Sequence, residues 1–175
     1  MTAGSKTLDV ITIGRASVDL YGQQIGTRLE DIGSFAKSVG GCPANIAVGT
    51  ARLGLKSALV TRVGAEQMGG FIKEQLQREG IETRGIVTDP NRLTALVLLS
   101  VEAEGVSPMI FYRSDCADMA LAEADIDEAF IASSSAIVVT GTHLSTPNAA
   151  AAQKKAIRIA RGVGRNEHIY QAVTL

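Results

Sequence analysis

Residues 40–64 read GGCPANIAVGTARLGLKSALVTRVG, and the order of features in that stretch decides the fold. Gly40 and Gly41 stand ahead of Pro43, whose fixed φ and missing N–H suit the start of a helix. Ile46, Ala47, Thr50, Ala51 and Leu53 recur at helical spacing as far as Gly54, a natural C-terminal stop. Ser57 to Val63 (SALVTRV) is a short apolar run closed by Gly64 and reads as a buried strand. A glycine hinge, a helix and a strand in succession are the parts of a βαβ unit.

The same rhythm extends to both sides. Leu8 to Ile13 (LDVITI), ended by Gly14, is a first core strand buried on both faces. Met68 to Glu79 is an amphipathic helix closed by Gly80, and Ile86 to Thr88 a short strand. Ala124 to Ala132 reads as a short helix, Ala136 to Thr140 (AIVVT) as another parallel strand, and Asn148 to Arg161 as an Ala-rich helix. The alternation predicts an α/β fold with a parallel central sheet flanked by helices.

Two segments break the alternation. Ser17 to Val39 is polar and broken by Gly22, Gly26 and Gly33, which fits exposed strands. Leu93 to Glu102 and Pro108 to Arg113 form a hairpin through EAEGVS, with Gly105 at the turn. Together, segments of about 17–40 and 93–114 predict a small β lid in which the hairpin can pair with the segment after Asp19. The domain is expected to run over 1–161, and 162–175 (GVGRNEHIYQAVTL) to be a divergent tail with no apolar strand.

Composition limits what such a domain binds. Seventeen basic residues against eighteen acidic ones leave no field to hold nucleic acid or an anionic membrane, so a small-molecule partner is expected. Cys42 and Cys116 are far apart and outside any metal-ligand spacing, which predicts free thiols and no metal site. The start lacks a signal-peptide pattern and no stretch reaches the ~18 apolar residues of a bilayer span, so a soluble, cytoplasmic chain is expected.

The hinge also has a chemistry. Paired glycines let backbone approach a ligand closely, a helix start turns free N–H groups outward, and the Asn45 amide both donates and accepts toward hydroxyls. On chemistry alone the same residues serve equally as a glycine turn with a capping amide. Asp19, shortly after the first strand, can accept two short bonds from vicinal hydroxyls or close an ordinary Asx turn. A dinucleotide-binding dehydrogenase is disfavoured, because no GxGxxG follows the first strand. Walker A and protein-kinase motifs are absent too.

The run from Gly40 to Gly64 resembles the amino-terminal signature of the PfkB, or ribokinase-type, carbohydrate kinases: a glycine pair, then Pro43, Asn45, a small residue, Gly54 and Gly64. IGRASVDLYG (13–22), MIFYRSDCADMAL (109–121) and VVTGTHLS (138–145) extend the likeness toward the branch that phosphorylates keto-deoxy sugar acids in inositol catabolism. The resemblance implies a ribokinase-like fold and ATP-dependent phosphorylation of a hydroxyl on a sugar or a 5-dehydro-2-deoxygluconate-like acid, with Mg²⁺ on the nucleotide. Fructose and 2-keto-3-deoxygluconate are the neighbouring substrates. It also implies that Asp19, Gly40, Gly41 and Asn45 hold the sugar, that Arg113 meets a substrate carboxylate, and that the lid makes a homodimer.

Glu66 in VGAEQMGG stands where many relatives carry Asp, and a structural turn role is expected of it. His143, just after a strand end, is expected to be a satisfied loop residue, as is usual for a lone His. The family's catalytic Asp lies in a GxGD loop of its carboxy-terminal half, and no GxGD occurs in these 175 residues. The chain is therefore expected to carry mainly the sugar-binding half, with no catalytic residue, no firm hold on ATP or Mg²⁺ and no activity alone. The alternative is a non-catalytic sugar-binding or dimerisation fragment.

Overall fold

The computed structural model of the chain describes residues 7–101, 108–141, 144–162 and the backbone of 168–170. In chain order the elements are β1 (Leu8–Ile13), β2 (Ser17–Gly22), β3 (Phe35–Gly40), α1 (Cys42–Arg52), β4 (Ser57–Gly64), α2 (Gln67–Arg78), β5 (Ile86–Asp89), β6 (Ala95–Leu99), β7 (Met109–Tyr112), α3 (Glu128–Ala132), β8 (Ser134–Thr140), α4 (Pro147–Gly162) and β9 (His168–Tyr170).

Five strands form the central sheet in the order β5-β4-β1-β8-β9, all parallel. Strands β1, β4 and β8 carry apolar runs because helices cover both faces. On β4, Ala58 and Val60 join a core with Phe130, Ile131, Ala152 and Ala156. Leu59 and Val63 turn the other way, into a core with Ala44, Ala47, Ile72 and Leu76. This two-residue period places α3 and α4 on one face and α1 and α2 on the other.

The expected lid is the second sheet, of order β3-β2-β6-β7. β2 pairs antiparallel with β3 and parallel with β6, setting Asp19 in register with Ser38 and Val97. β6 and β7 form the expected hairpin. Its turn, including Gly105, lies outside the described residues.

Three expectations change. The helix expected over 124–132 is only α3, preceded by a 3-10 turn at Glu123–Asp125. The Asp125 carboxylate accepts from the Ala122 N–H at 2.9 Å, and Asp127 caps α3 by accepting from the Phe130 N–H at 3.0 Å, so two short elements replace one. Helix α1 opens at Cys42, one residue before Pro43. The polar tail carries a strand after all: β9 continues the parallel rhythm, with His168, Ile169 and Tyr170 opposite Val138, Val139 and Thr140. Backbone groups make that pairing, and a side-chain pattern does not report them.

Two polar junctions fix the lid to the central sheet. Glu66 caps α2 by accepting from the N–H groups of Met68 at 2.6 Å and Gly69 at 3.0 Å. Its other oxygen accepts from the Thr94 N–H at 2.6 Å, one residue before β6. The expected structural turn is thus also the anchor of a lid strand. Burial opposes the Glu66 charge, but hydrogen bonds from Thr94, Gly69 and Met68 outweigh it and hold the carboxyl below its usual 4.5. The resulting stability is present above the unfolded carboxyl's pKa and is lost as pH falls through the lower folded one. Glu66→Ala is expected to cost about 2 kcal/mol at pH 7, by loss of the cap and of the Thr94 bond. In thermal unfolding the gap from the parent chain should narrow below about pH 4.5.

The second junction is Arg62 on β4. It pairs with Asp89 at 3.1 Å at the end of β5 and with Asp125 at 3.1 Å. Asp89 in turn accepts from the N–H groups of Asn91 at 2.9 Å and Arg92 at 3.1 Å, so it shapes the crossing into the lid.

Candidate functional site

The link between β1 and β2 carries the chain from the carboxyl end of the central sheet into the lid, and ligands of open α/β sheets bind at such strand ends. Gly14, Arg15 and Ala16 form this link. Asp19 follows on β2, half-buried, with its Oδ1 accepting from the Ser17 hydroxyl at 2.9 Å. Burial pushes the Asp19 carboxyl above its ordinary 3.8, against the downward pulls of the Ser17 hydrogen bond and Arg15.

Both hinge glycines are needed to make room. A Cβ on Gly40 would collide with both oxygens of Asp19, so the carboxylate lies directly on that backbone. Gly41 has φ +98°, and a Cβ there would sit 2.5 Å from the Arg15 carbonyl oxygen and 3.0 Å from the Ala16 Cα. The hinge is thereby pressed against the β1–β2 link, and α1 starts from it with Gly41 as N-cap.

Arg113 stands one residue beyond β7. Its guanidinium pairs inward with the buried Asp118 and touches the Met119 Sδ at 3.3 Å. Arg113 is therefore a braced side chain rather than an open strand arginine. Arg15 lies in the same electrostatic neighbourhood, acted on by Arg113, Asp118, Asp19 and Cys42. Desolvation by burial lowers its pKa first, and Arg113 lowers it further, while the two acids and the thiol pull the other way.

Asn45 is placed differently. Its N–H donates to the Gly41 carbonyl at 2.9 Å, but its exposed amide lines a cleft of about 520 Å³ with Lys37, Ser38, Val39, Phe71 and Gln75. Asp19 is not among the residues of that cleft, although its register partner Ser38 is. The structure thus gathers Asp19, Gly40 and Gly41, pairs Arg113 with Asp118, and lines a neighbouring cleft with Asn45. His143 lies outside the described residues.

Arg15 and Asp118 escaped the sequence reading. A signal for Arg15 was available: a basic residue between Gly14 and Ala16, just after the apolar run that ends at Ile13, is out of pattern. Asp118 had none, because its partner is set by the lid. Cys42 and Cys116 are free thiols, as expected. Among the described residues no group of three His, Cys, Asp or Glu side chains could hold a metal ion, and no helix is long and apolar enough to cross a membrane.

Comparison with known proteins follows this geometry. The family described as pfkB family carbohydrate kinase matches residues 7–169, which reach into β9. A 5-dehydro-2-deoxygluconokinase of Geobacillus kaustophilus (strain HTA426) is 38% identical over 141 residues, covering 80% of this chain and 42% of that protein. The crystal structure of a PfkB protein from Polaromonas sp. JS666 superposes with a TM-score of 0.88 at 31% identity, over 93% of this chain and 55% of that one. An uncharacterized sugar kinase from Pyrococcus horikoshii, in complex with ATP, does so with a TM-score of 0.80 at 26% identity, over 94% and 53%. The chain spans about half the length of the curated relatives it matches.

Proposed function

The chain belongs to the pfkB family of carbohydrate kinases, and from that premise we propose that it supplies the acceptor-binding half of a kinase for a keto-deoxy sugar acid. The observation that carries the reading is the Asp19 carboxylate seated on Gly40 at the carboxyl end of the central sheet. Charged, half-buried and bonded on one side by Ser17, it offers its remaining lone pairs to vicinal hydroxyls in short charge-assisted bonds. Gly40 and Gly41 bring backbone close enough to complete the grip. Asn45 is included on its motif position, one helical turn after Gly41, and Arg113 for the acid group.

A 5-dehydro-2-deoxygluconate-like acid is the favoured acceptor, on the names of the similar proteins, with 2-keto-3-deoxygluconate and fructose as alternatives. ATP with Mg²⁺ is the proposed phosphoryl donor of the complete enzyme, in line with the ATP-bound relative. The described residues do not fit a site for that donor: they hold no metal-binding cluster, and the chain has no GxGD. What these residues do is bind and orient the acceptor, while the lid keeps out the water that would compete for the phosphoryl group. A cytoplasmic place in inositol breakdown is part of the same proposal, on the resemblance carried by residues 13–22 and 109–121. Met109, Ile110, Phe111 and Tyr112 on β7 are between 44% and 56% exposed, which supports a homodimer through the lid and keeps a purely dimerising fragment as the second reading.

Calorimetric titration of the chain with 5-dehydro-2-deoxygluconate and 2-keto-3-deoxygluconate tests the proposal. Saturable binding is expected, without ATP turnover. Flat titrations would leave only the dimerising fragment, and turnover by the chain alone would overturn its description as half a site.

A further inference from the structure

Arg15 is a cation without a counter-ion. Among the described residues it makes no side-chain hydrogen bond and no ion pair, and its Nε is buried without a partner. The two acids nearest in its neighbourhood are already engaged. Asp118, the buried acid of the neighbourhood, is engaged by Arg113, and Asp19 has its Oδ1 on the Ser17 hydroxyl. The Arg113 Nε is likewise buried and unpartnered. A buried donor left unmet costs free energy, so such an arrangement persists where something else meets the donor.

The backbone explains why this side chain sits beside the hinge. The Arg15 carbonyl is packed against Gly41, which only a positive φ permits, and Asp19 is four residues along the same strand connection. A ligand whose hydroxyls reach Asp19 is therefore within the space that Arg15 borders. The group that Arg15 lacks is a planar anion able to take a bidentate fork.

We propose that Arg15 is the residue that reads the carboxylate of the acid sugar, and that Arg113, braced by Asp118, adds positive field behind it rather than acting as the sole receptor. The proposal rests on the acceptor-binding reading above and sharpens it: the site selects an acid over a neutral ketose through an arginine at the end of β1. With the hydroxyls left to Asp19, discrimination and sugar grip separate between Arg15 and Asp19.

The test is titration of the 175-residue chain with 2-keto-3-deoxygluconate and with fructose, in the parent and in Arg15→Met and Arg15→Lys, with folding of each checked by thermal unfolding. Arg15→Met is expected to weaken the acid by about 100-fold, the scale for truncating one partner of a buried charge pair, and to change fructose by less than about 3-fold. Arg15→Lys, the variant that keeps the charge but loses the fork, should weaken the acid by about 10-fold and decides the matter if Arg15→Met does not fold. An unchanged acid-to-fructose ratio in the folded variants overturns the assignment while the sugar site stands. Inorganic phosphate is the control anion: Arg15-dependent phosphate binding with an unchanged ratio also overturns it, since the partner is then a phosphoryl group. If the parent binds neither sugar, the acceptor-binding reading falls and this inference with it.

Discussion

Asp19→Asn should abolish acid-sugar binding while leaving the fold as stable as before or more so. The first half follows from charge: Asn keeps one acceptor oxygen but loses the two charge-assisted bonds to vicinal hydroxyls, worth about 100-fold in affinity, or about 2.7 kcal/mol. The second half follows from the direction of the pKa shift. Burial raises the Asp19 carboxyl above 3.8, so the folded chain holds the proton more tightly than the unfolded chain does. That contribution is full below the unfolded value and is lost as pH rises through the folded one, which makes the ionised group a burden at neutral pH. Removing the charge lifts the burden, and Ser17 keeps an oxygen to donate to. Calorimetry at pH 7.5 should show the loss of binding, and the thermal midpoint should stay within about 3 °C of the parent or above it, the scale of 1 kcal/mol at this chain length. A large fall in midpoint would mean that the carboxylate is structural and that its seat on Gly40 has been misread.

Arg62→Met should do the opposite, leaving the sugar-contacting residues in place and weakening the fold. The Arg62 side chain is 19% exposed, Asp89 1% and Asp125 10%, so the substitution strands two desolvated carboxylates. Breaking such a pair from one side costs about 3–5 kcal/mol. The lower end is expected, because Asp89 retains the Asn91 and Arg92 N–H bonds and a longer contact to the Arg92 guanidinium at 3.5 Å. Near 3 kcal/mol, the midpoint should fall by about 6–12 °C. Adding Asp125→Leu should recover part of it, since an apolar replacement of both partners is close to neutral where removal of one is not. If Arg62→Met alone melts within about 2 °C of the parent, the network is not the clamp beneath the lid crossing.

The two substitutions separate what a glance at the sequence merges. Asp19 and Arg62 are both charged residues on strands, but one is held in a raised-pKa seat open to a ligand and the other is consumed within the protein. The seat was legible in part: the glycine pair and the carboxylate lie in motifs that resemble a known family, and the structure places the three together. The Asn45 amide was grouped with them by the same motif, yet its exposed position on α1 turns it into a neighbouring cleft. Arg113 was expected to be open to a ligand, and the structure braces it on Asp118 because the chain folds back in a 3-10 turn just after β7.

Read alone, the sequence determined the alternation of strands and helices, the lid segments, the glycine hinge and the family. Each of these is written in contiguous residues, as a period of two or 3.6 or as a backbone position open only to glycine. Tertiary structure decided which charges meet. Thr94 reaches Glu66 across 28 positions and Asp125 reaches Arg62 across 63, and no local pattern carries such pairings. It also decided which guanidinium is left without an ion pair, among the described residues, at the β1–β2 link. An ion pair depends on distance and burial in space, and the packing of lid against sheet sets both.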